Sequence, residues 1–245
     1  MALTLKKIDK KLLAIDSDFE DKDFVSIAVL VNDIGECIHS GFIIKLGDDY
    51  NLFHYTGSSI EIEYNIDNKK WYFFKILDII GEQEVLTFLH HCEEVKENSP
   101  TPSYGFVYDG SYFVDGQYFT ETGIQQFTTC VGFCLTIIKG FIHNHDEYLK
   151  LDDWNFESTQ TEEFRNHYLY EFLENNLAIL EQNYPESIEE IKSNYIKRIT
   201  PSELTASAFF GKLPIQKSEI DSILENVCLS LYNKRFNIFT PHKYL

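Results

Sequence analysis

Residues 38–57 read IHSGFIIKLGDDYNLFHYTG and place one histidine, His39, near the start of the stretch and a second, His54, near its end. The apolar, β-rich segments before Gly47 and after Asp49 predict two strands, and the residues between them predict a turn. Facing residues of an antiparallel hairpin can share one face of a sheet. We therefore expect the two imidazoles to lie close together.

The segments around this hairpin continue the β pattern. FVSIAVLV precedes it at residues 24–31, and SIEIEYN and WYFFKILDI follow it at residues 59–65 and 71–79. Their alternation or aromatic enrichment predicts an antiparallel sheet across residues 22–80. EQEVLTFLHHCEEV, residues 82–95, has apolar residues at helical spacing, so a helix is expected to cover that sheet.

The last third of the chain is helical in pattern. TEEFRNHYLYEFLENNLAILEQNY, residues 161–184, is expected to be helical. It places Phe164, Tyr168, Phe172 and Leu173 on one stripe, and Pro185 ends the segment. Three further helical segments follow it, each with its own start or stop signal.

These patterns predict an α+β fold in which an antiparallel β-sheet is packed with helices, followed by an all-helical C-terminal extension. The boundary is expected near residue 150. It divides the chain into an α+β domain, residues 1–150, and the helical extension, residues 151–245.

The composition restricts the classes of partner. With 245 residues, of which 44% are hydrophobic, the chain can bury a substantial core. A net charge of -18, from 39 acidic and 21 basic residues, repels phosphate backbones and anionic lipid surfaces. We expect no nucleic-acid partner, and a basic protein or peptide suits the surface. The alternative is a solvated acidic surface without a particular ligand.

The termini and the cysteines bear on location. No apolar run has the length of a secretory signal or of a membrane span, so a cytoplasmic location is expected, with export by a dedicated apparatus left open. An odd number of irregularly spaced cysteines indicates reduced thiols. They are Cys37, Cys92, Cys130, Cys134 and Cys228.

Cys130 is the candidate nucleophile. Thr128 and Thr129 can cap a helix that begins near it, which places the sulfur in the first helical turn. Backbone N–H groups and the helix dipole at such a position lower a thiol pKa, and the same N–H groups can hold an oxyanion. The alternative is a small apolar filler of the core.

The two histidines complete the candidate catalytic set. His39 is expected to act as the general base toward Cys130, and His54 to fix the tautomer of the His39 ring. The alternative for each histidine is a structural or surface side chain. Cys134, one helical turn after Cys130, is interpreted as a core residue, with a resolving thiol as its alternative.

Other patterns are less specific. HNHDE, residues 143–147, combines imidazoles and carboxylates but is interpreted as a solvated cap and not as a metal site. His90 and His91 are adjacent on a helix and cannot form one ligand face. The chain has no phosphate-binding loop, dinucleotide fingerprint or serine elbow, so neither a cofactor nor a metal is expected.

HSGFIIKLGDDYNLFH, residues 39–54, and CVGF, residues 130–133, together resemble a known family. They are similar to permuted papain-like thiol enzymes, the group that contains lecithin retinol acyltransferase-like proteins and related bacterial amidases. The resemblance covers residues 22–142 at most. It implies His39 as base, His54 as orienting residue and Cys130 as nucleophile.

The expected function is therefore a cysteine-dependent hydrolase or acyltransferase, such as a cysteine peptidase or amidase. It would act on an amide, ester or thioester through an acyl-enzyme. The alternative is a non-enzymatic acidic protein of the immunity or adaptor type that covers a basic protein partner.

Overall fold

A six-stranded sheet forms the centre of the computed structural model, which describes residues 3–15, 22–66 and 72–237. Its strands are β1 (Leu13–Ala14), β2 (Phe24–Val31), β3 (Cys37–Leu46), β4 (Asp49–Tyr55), β5 (Ile60–Glu63) and β6 (Tyr72–Ile76). They lie in the order β1-β6-β2-β3-β4-β5, and neighbouring strands are antiparallel.

Four short strands and eight α-helices surround this sheet in the described part of the chain. The strands are β7 (Ser103–Tyr104), β8 (Tyr112–Val114), β9 (Gln117–Phe119) and β10 (Phe127–Thr128). The helices are α1 (Leu5–Lys11), α2 (Val85–Asn98), α3 (Cys130–Phe141), α4 (Glu162–Arg165), α5 (Leu169–Asn183), α6 (Ile188–Tyr195), α7 (Pro201–Ser207) and α8 (Lys217–Arg235).

Alternate residues of the central strands face two different cores. Phe42 of β3 and Phe53 of β4 face α2 and α3, where Phe42 meets Phe88 and Phe53 meets Phe133 at ring-centroid distances of 5.2 and 5.4 Å. The other face of the sheet has a smaller apolar cluster. It includes Phe24, Ala28, Ile43, Leu52 and Phe74. Burial on both faces explains why β2 is almost continuously apolar.

The C-terminal helices pack in two ways. Leu204 of α7 and Val227 of α8 belong to the same core as the sheet and α3. Helices α4 to α6 form a second core together with Phe106 and Phe127. Residues on both sides of position 150 therefore share one hydrophobic core. The domain boundary expected there stays a prediction.

The expected α+β class with an antiparallel sheet is confirmed. Trp71, the first residue of the last expected strand, lies outside the described residues, as do residues 238–245 of the expected extension. No helix within the described segments combines the length and the apolar character that crossing a membrane requires.

The long helix expected over residues 161–184 is wrong in one respect, because it is interrupted between α4 and α5. The interruption breaks the predicted stripe. Phe164 is fully buried, whereas Tyr168 and Phe172 are 69% and 44% exposed. Thr161 caps the short first helix by accepting a hydrogen bond from the Phe164 N–H, and the chain turns before α5 begins.

Candidate functional site

His39 and His54 are in direct contact on adjacent strands. Nε2 of His39 in β3 lies 2.8 Å from Nδ1 of His54 in β4, and the rings meet edge to face. Gly41 allows this approach. A Cβ at Gly41 would lie 2.8 Å from both the His54 Cβ and the Phe53 carbonyl oxygen. The expected proximity of the two imidazoles is therefore observed, and a glycine makes room for it.

Glu63 extends the histidine pair to a third strand. Its Oε1 in β5 lies 3.3 Å from Nε2 of His54, whose side chain is buried. A carboxylate at this distance favours a proton on Nε2 of His54, which leaves Nδ1 to accept from the Nε2–H of His39. The remaining ring nitrogen of His39, Nδ1, then carries a lone pair. The chain Glu63–His54–His39 thus holds the tautomer that a general base needs.

Burial keeps the His39 ring neutral at pH 7. Desolvation and, to a smaller extent, the neighbouring His54 lower the pKa of His39 from 6.5 to about 4, against the opposing charge of Glu63. A neutral imidazole can accept a proton.

Cys130 is the first residue of α3, as expected. Thr129 caps the helix, with its Oγ1 accepting a hydrogen bond from the Gly132 N–H at 3.1 Å. The side chain is close-packed, since only 8% of Cys130 is exposed. Of the two threonines expected to cap this helix, Thr129 occupies the N-cap and Thr128 ends β10.

The expected lowering of the Cys130 pKa is wrong. The backbone N–H groups of Ser40, Val131 and Cys130 itself favour the thiolate, but burial outweighs them and raises the pKa of Cys130 to about 11. The helix start supplies the predicted N–H donors. The surrounding apolar core, which the sequence does not display, removes water from the sulfur and reverses the net effect.

The sulfur of Cys130 meets β3 at the residue that follows His39. Pairing between β3 and β4 ends at Phe42 and Phe53, and the N–H of Ser40 beyond that pair points to the sulfur. His39 projects from the sheet face opposite to α3. Within the described segments, the His39 ring is hydrogen-bonded to His54 and not to Cys130. The fold thus brings the helix start beside the histidine strand without a direct sulfur–imidazole hydrogen bond.

An open cleft of about 290 Å³ gives access to Cys130. We call it the Cys130 cleft. Its walls come from the end of the turn before β3, the β7 segment, the start of α5 and the segment before α7. Residues from these walls include Cys37, Tyr104, His167, Tyr168 and Arg198. His39 is not among the residues that line it.

Sequence reasoning missed two features of the site. Glu63 could have been found from the sequence, because the alternation in SIEIEYN places Glu61 and Glu63 on one face of the strand that follows His54. His167 and Arg198 could not, since they reach the cleft through the packing of helices distant in sequence.

The other sequence motifs lie apart from this site. His145 stacks on Tyr112 with ring centroids 4.4 Å apart, and His90 lies near Glu93 and Glu94 on α2. Cys134 is fully buried in the main core. Among the described residues, no group of three or more histidine, cysteine or acidic side chains could hold a metal ion.

Comparison of the chain with protein-family models, with curated proteins and with solved structures found no match. The resemblance to permuted papain-like enzymes therefore rests on the residues themselves.

Proposed function

We propose that this chain is a cysteine-dependent hydrolase or acyltransferase of the permuted papain-like type, with Cys130 as the nucleophile. The observation that carries the proposal is the chain of contacts from Glu63 through His54 to His39, which ends one residue from the Ser40 N–H at the Cys130 sulfur. Acyl transfer requires an imidazole of fixed tautomer that can reach the thiol, and this chain of contacts supplies the fixed tautomer.

The shifts in pKa indicate that Cys130 and His39 are both neutral before substrate binds. The raised pKa of Cys130 keeps the thiol protonated at pH 7, and the lowered pKa of His39 keeps the imidazole unprotonated. Activation is then general-base catalysis during attack and not a preformed thiolate–imidazolium pair. This mechanism requires Nδ1 of His39 to reach the sulfur, so the N-terminal end of β3 must rearrange in the substrate complex to bring the ring from the opposite face of the sheet to Cys130.

The reaction has two half-steps. Nδ1 of His39 takes the thiol proton as the sulfur bonds to the carbonyl carbon, and the carbonyl π electrons move to oxygen. The intermediate collapses, the bond to the amine, alcohol or thiol leaving group breaks, and His39 returns the proton to that group. Water or an acceptor amine or alcohol then attacks the thioester on Cys130, again with His39 as base.

The backbone at the sulfur supplies donors for the oxyanion. The N–H groups of Ser40 and Val131 already point toward Cys130 and can shift their hydrogen bonds to a carbonyl oxygen when the sulfur is acylated. Which acyl group is transferred follows from the walls of the cleft.

Trapping of the acyl-enzyme tests this proposal. Intact-protein mass spectrometry after incubation with 4-nitrophenyl acetate and with an acetyl thioester should show one acetyl group, assigned to Cys130 by peptide mapping. Cys130→Ala should lose the adduct and the turnover. Cys228→Ala, which removes an exposed thiol from the wall of the same cleft, serves as the matched control and should retain both. Turnover that survives in Cys130→Ala would rule out the assignment.

A second candidate is the acidic binding protein, favoured by an exposed apolar stripe at α5. Tyr168, Phe172 and Ile179 are 69%, 44% and 40% exposed, and the exposed Glu171 and Glu174 lie beside them. Such a stripe suits an amphipathic basic helix. Fluorescence anisotropy of a labelled Lys/Leu amphipathic peptide should show binding that Phe172→Ser weakens and Cys130→Ala does not. Equal affinity in both variants would exclude this surface.

A further inference from the structure

Arg198 is a cation in the wall of the Cys130 cleft. Its guanidinium carbon lies 4.6 Å from the centroid of the Phe164 ring, and its main-chain N–H donates to Ser158 Oγ at 2.9 Å. Within the part of the chain that the structure describes, no carboxylate lies at ion-pair distance from the guanidinium. Its N–H groups are therefore available to a ligand.

The segment that carries Arg198 is tied to the start of α3. The hydroxyl of the buried Tyr108 is hydrogen-bonded to Thr129 Oγ1 at 2.8 Å, and the nearby backbone N–H of Ile199 lowers the pKa of that hydroxyl against the larger opposite effect of burial. Thr129 precedes Cys130 and Ile199 follows Arg198. The backbone N–H of Tyr108 also donates to the Tyr195 carbonyl at 2.8 Å, so this tyrosine contacts both the start of α3 and the segment that leads to Arg198.

The charges that line the cleft are mixed. Glu36 and Glu163 also contribute to its walls, and the aromatic rings of Tyr104 and Phe106 lie between the polar groups. The side-chain amide of Asn32 donates a hydrogen bond to Glu36 Oε2 at 3.1 Å. Among the described residues that line these walls, Arg198 is the one lysine or arginine and has no ion-pair partner, so an anionic group entering the cleft has one preferred place to bind.

We propose that Arg198 binds a carboxylate of the substrate, so that the acyl compounds accepted at Cys130 carry a free carboxylate in addition to the reacting carbonyl. This inference rests on the proposed acyl-transfer function. The contact between the guanidinium and the Phe164 ring uses none of the N–H groups as hydrogen-bond donors, and the guanidinium fork matches a carboxylate bidentately. Lysine provides a point charge without that fork.

Binding of glutarate to the wild-type protein tests the site without chemistry. Isothermal titration at low salt should show saturable binding of glutarate and at least about tenfold weaker binding of the neutral glutaramide. Arg198→Gln should remove the preference, and Arg198→Lys should keep part of it. Arg165→Gln, whose arginine donates to Gln160 outside the cleft, should match the wild type. Absent glutarate binding, or unchanged affinity in Arg198→Gln, would overturn the proposal.

A pair of esters separates this inference from the function on which it rests. Mono-4-nitrophenyl glutarate should acylate Cys130 faster than its methyl ester by about tenfold or more, and Arg198→Gln should abolish that ratio. Equal acylation by both esters in the wild type would leave the proposed function standing and refute the role of Arg198. Glutarate binding that depends on Arg198 without acylation by either ester would support the anion site and refute acyl transfer.

Discussion

Nε2 of His39 lies 2.8 Å from Nδ1 of His54, which joins two adjacent strands through a single imidazole–imidazole hydrogen bond. One ring nitrogen must donate and the other accept, so the pair has a direction. Glu63, at 3.3 Å from the far nitrogen of His54, favours the direction in which His39 donates. The remaining ring nitrogen of His39, Nδ1, is then a proton acceptor.

Removal of the acceptor tests this direction. His54→Ala should lower kcat for 4-nitrophenyl acetate by about 10²-fold or more with little change in KM, because the base loses its tautomer and orientation. His54→Asn should retain part of kcat, since an amide oxygen can accept from Nε2–H of His39. An Ala variant that loses stability but keeps the wild-type kcat would remove the orienting role.

Glu63 is expected to act through His54. Glu63→Gln should lower kcat by about tenfold, the scale of effect found for residues that orient an imidazole from behind. It should also lower the pKa of His39 below its value of about 4, because the carboxylate charge raises that pKa against burial. NMR titration of the His39 ring measures the second effect.

A control for Glu63 lies on the same strand. Glu61 pairs across from His54 but is exposed, and its carboxylate accepts from Ser59 Oγ. Glu61→Gln should leave both kcat and the His39 titration unchanged. Identical effects of the two substitutions would mean that they result from the loss of a negative charge and not from the contact between Glu63 and His54.

Gly41 should be the least tolerant small residue of the site. Gly41→Ala would place a Cβ 2.8 Å from both the His54 Cβ and the Phe53 carbonyl oxygen, so the two strands must separate locally. We expect a loss of about 1–3 kcal/mol in the free energy of unfolding, together with loss of the His39–His54 hydrogen bond. Gly211→Ala, where a Cβ meets no atom within 4 Å, is the matched control for urea denaturation. Equal stability of the two variants would contradict the close approach.

The alkylation rate of Cys130 should follow its raised pKa. Iodoacetamide should modify the exposed Cys228 well before Cys130 at pH 7, and the Cys130 rate should rise as the pH approaches 11. Peptide mapping by mass spectrometry over a pH series measures both sites. Rapid, selective modification of Cys130 at pH 7 would instead support the lowered thiol pKa that the helix start alone predicts.

The sequence predicts local features of this site better than distant ones. The hairpin that pairs His39 with His54 and the helix start at Cys130 follow from strand alternation, turn residues and a threonine cap, all of which act within a few residues. The raised pKa of Cys130 comes instead from its burial where β3 and α3 meet. Arg198 lies in the cleft wall because segments far apart in the chain pack together there, with Tyr108 contacting both Thr129 and Tyr195.

The pH dependence of stability gives an independent measure of the buried base. The pKa of His39 is about 4 in the folded chain and 6.5 for an ordinary histidine, so the unfolded chain binds more protons between these values. The contribution of the neutral His39 ring to the free energy of unfolding is complete above pH 6.5 and is lost as the pH falls through 4. It amounts to at most about 3 kcal/mol. Urea denaturation from pH 4 to 8 should show this slope in the wild type and in His90→Gln, which changes an exposed ring. His39→Gln should flatten it, and an unchanged slope in that variant would mean that His39 is solvated and not the buried base described here.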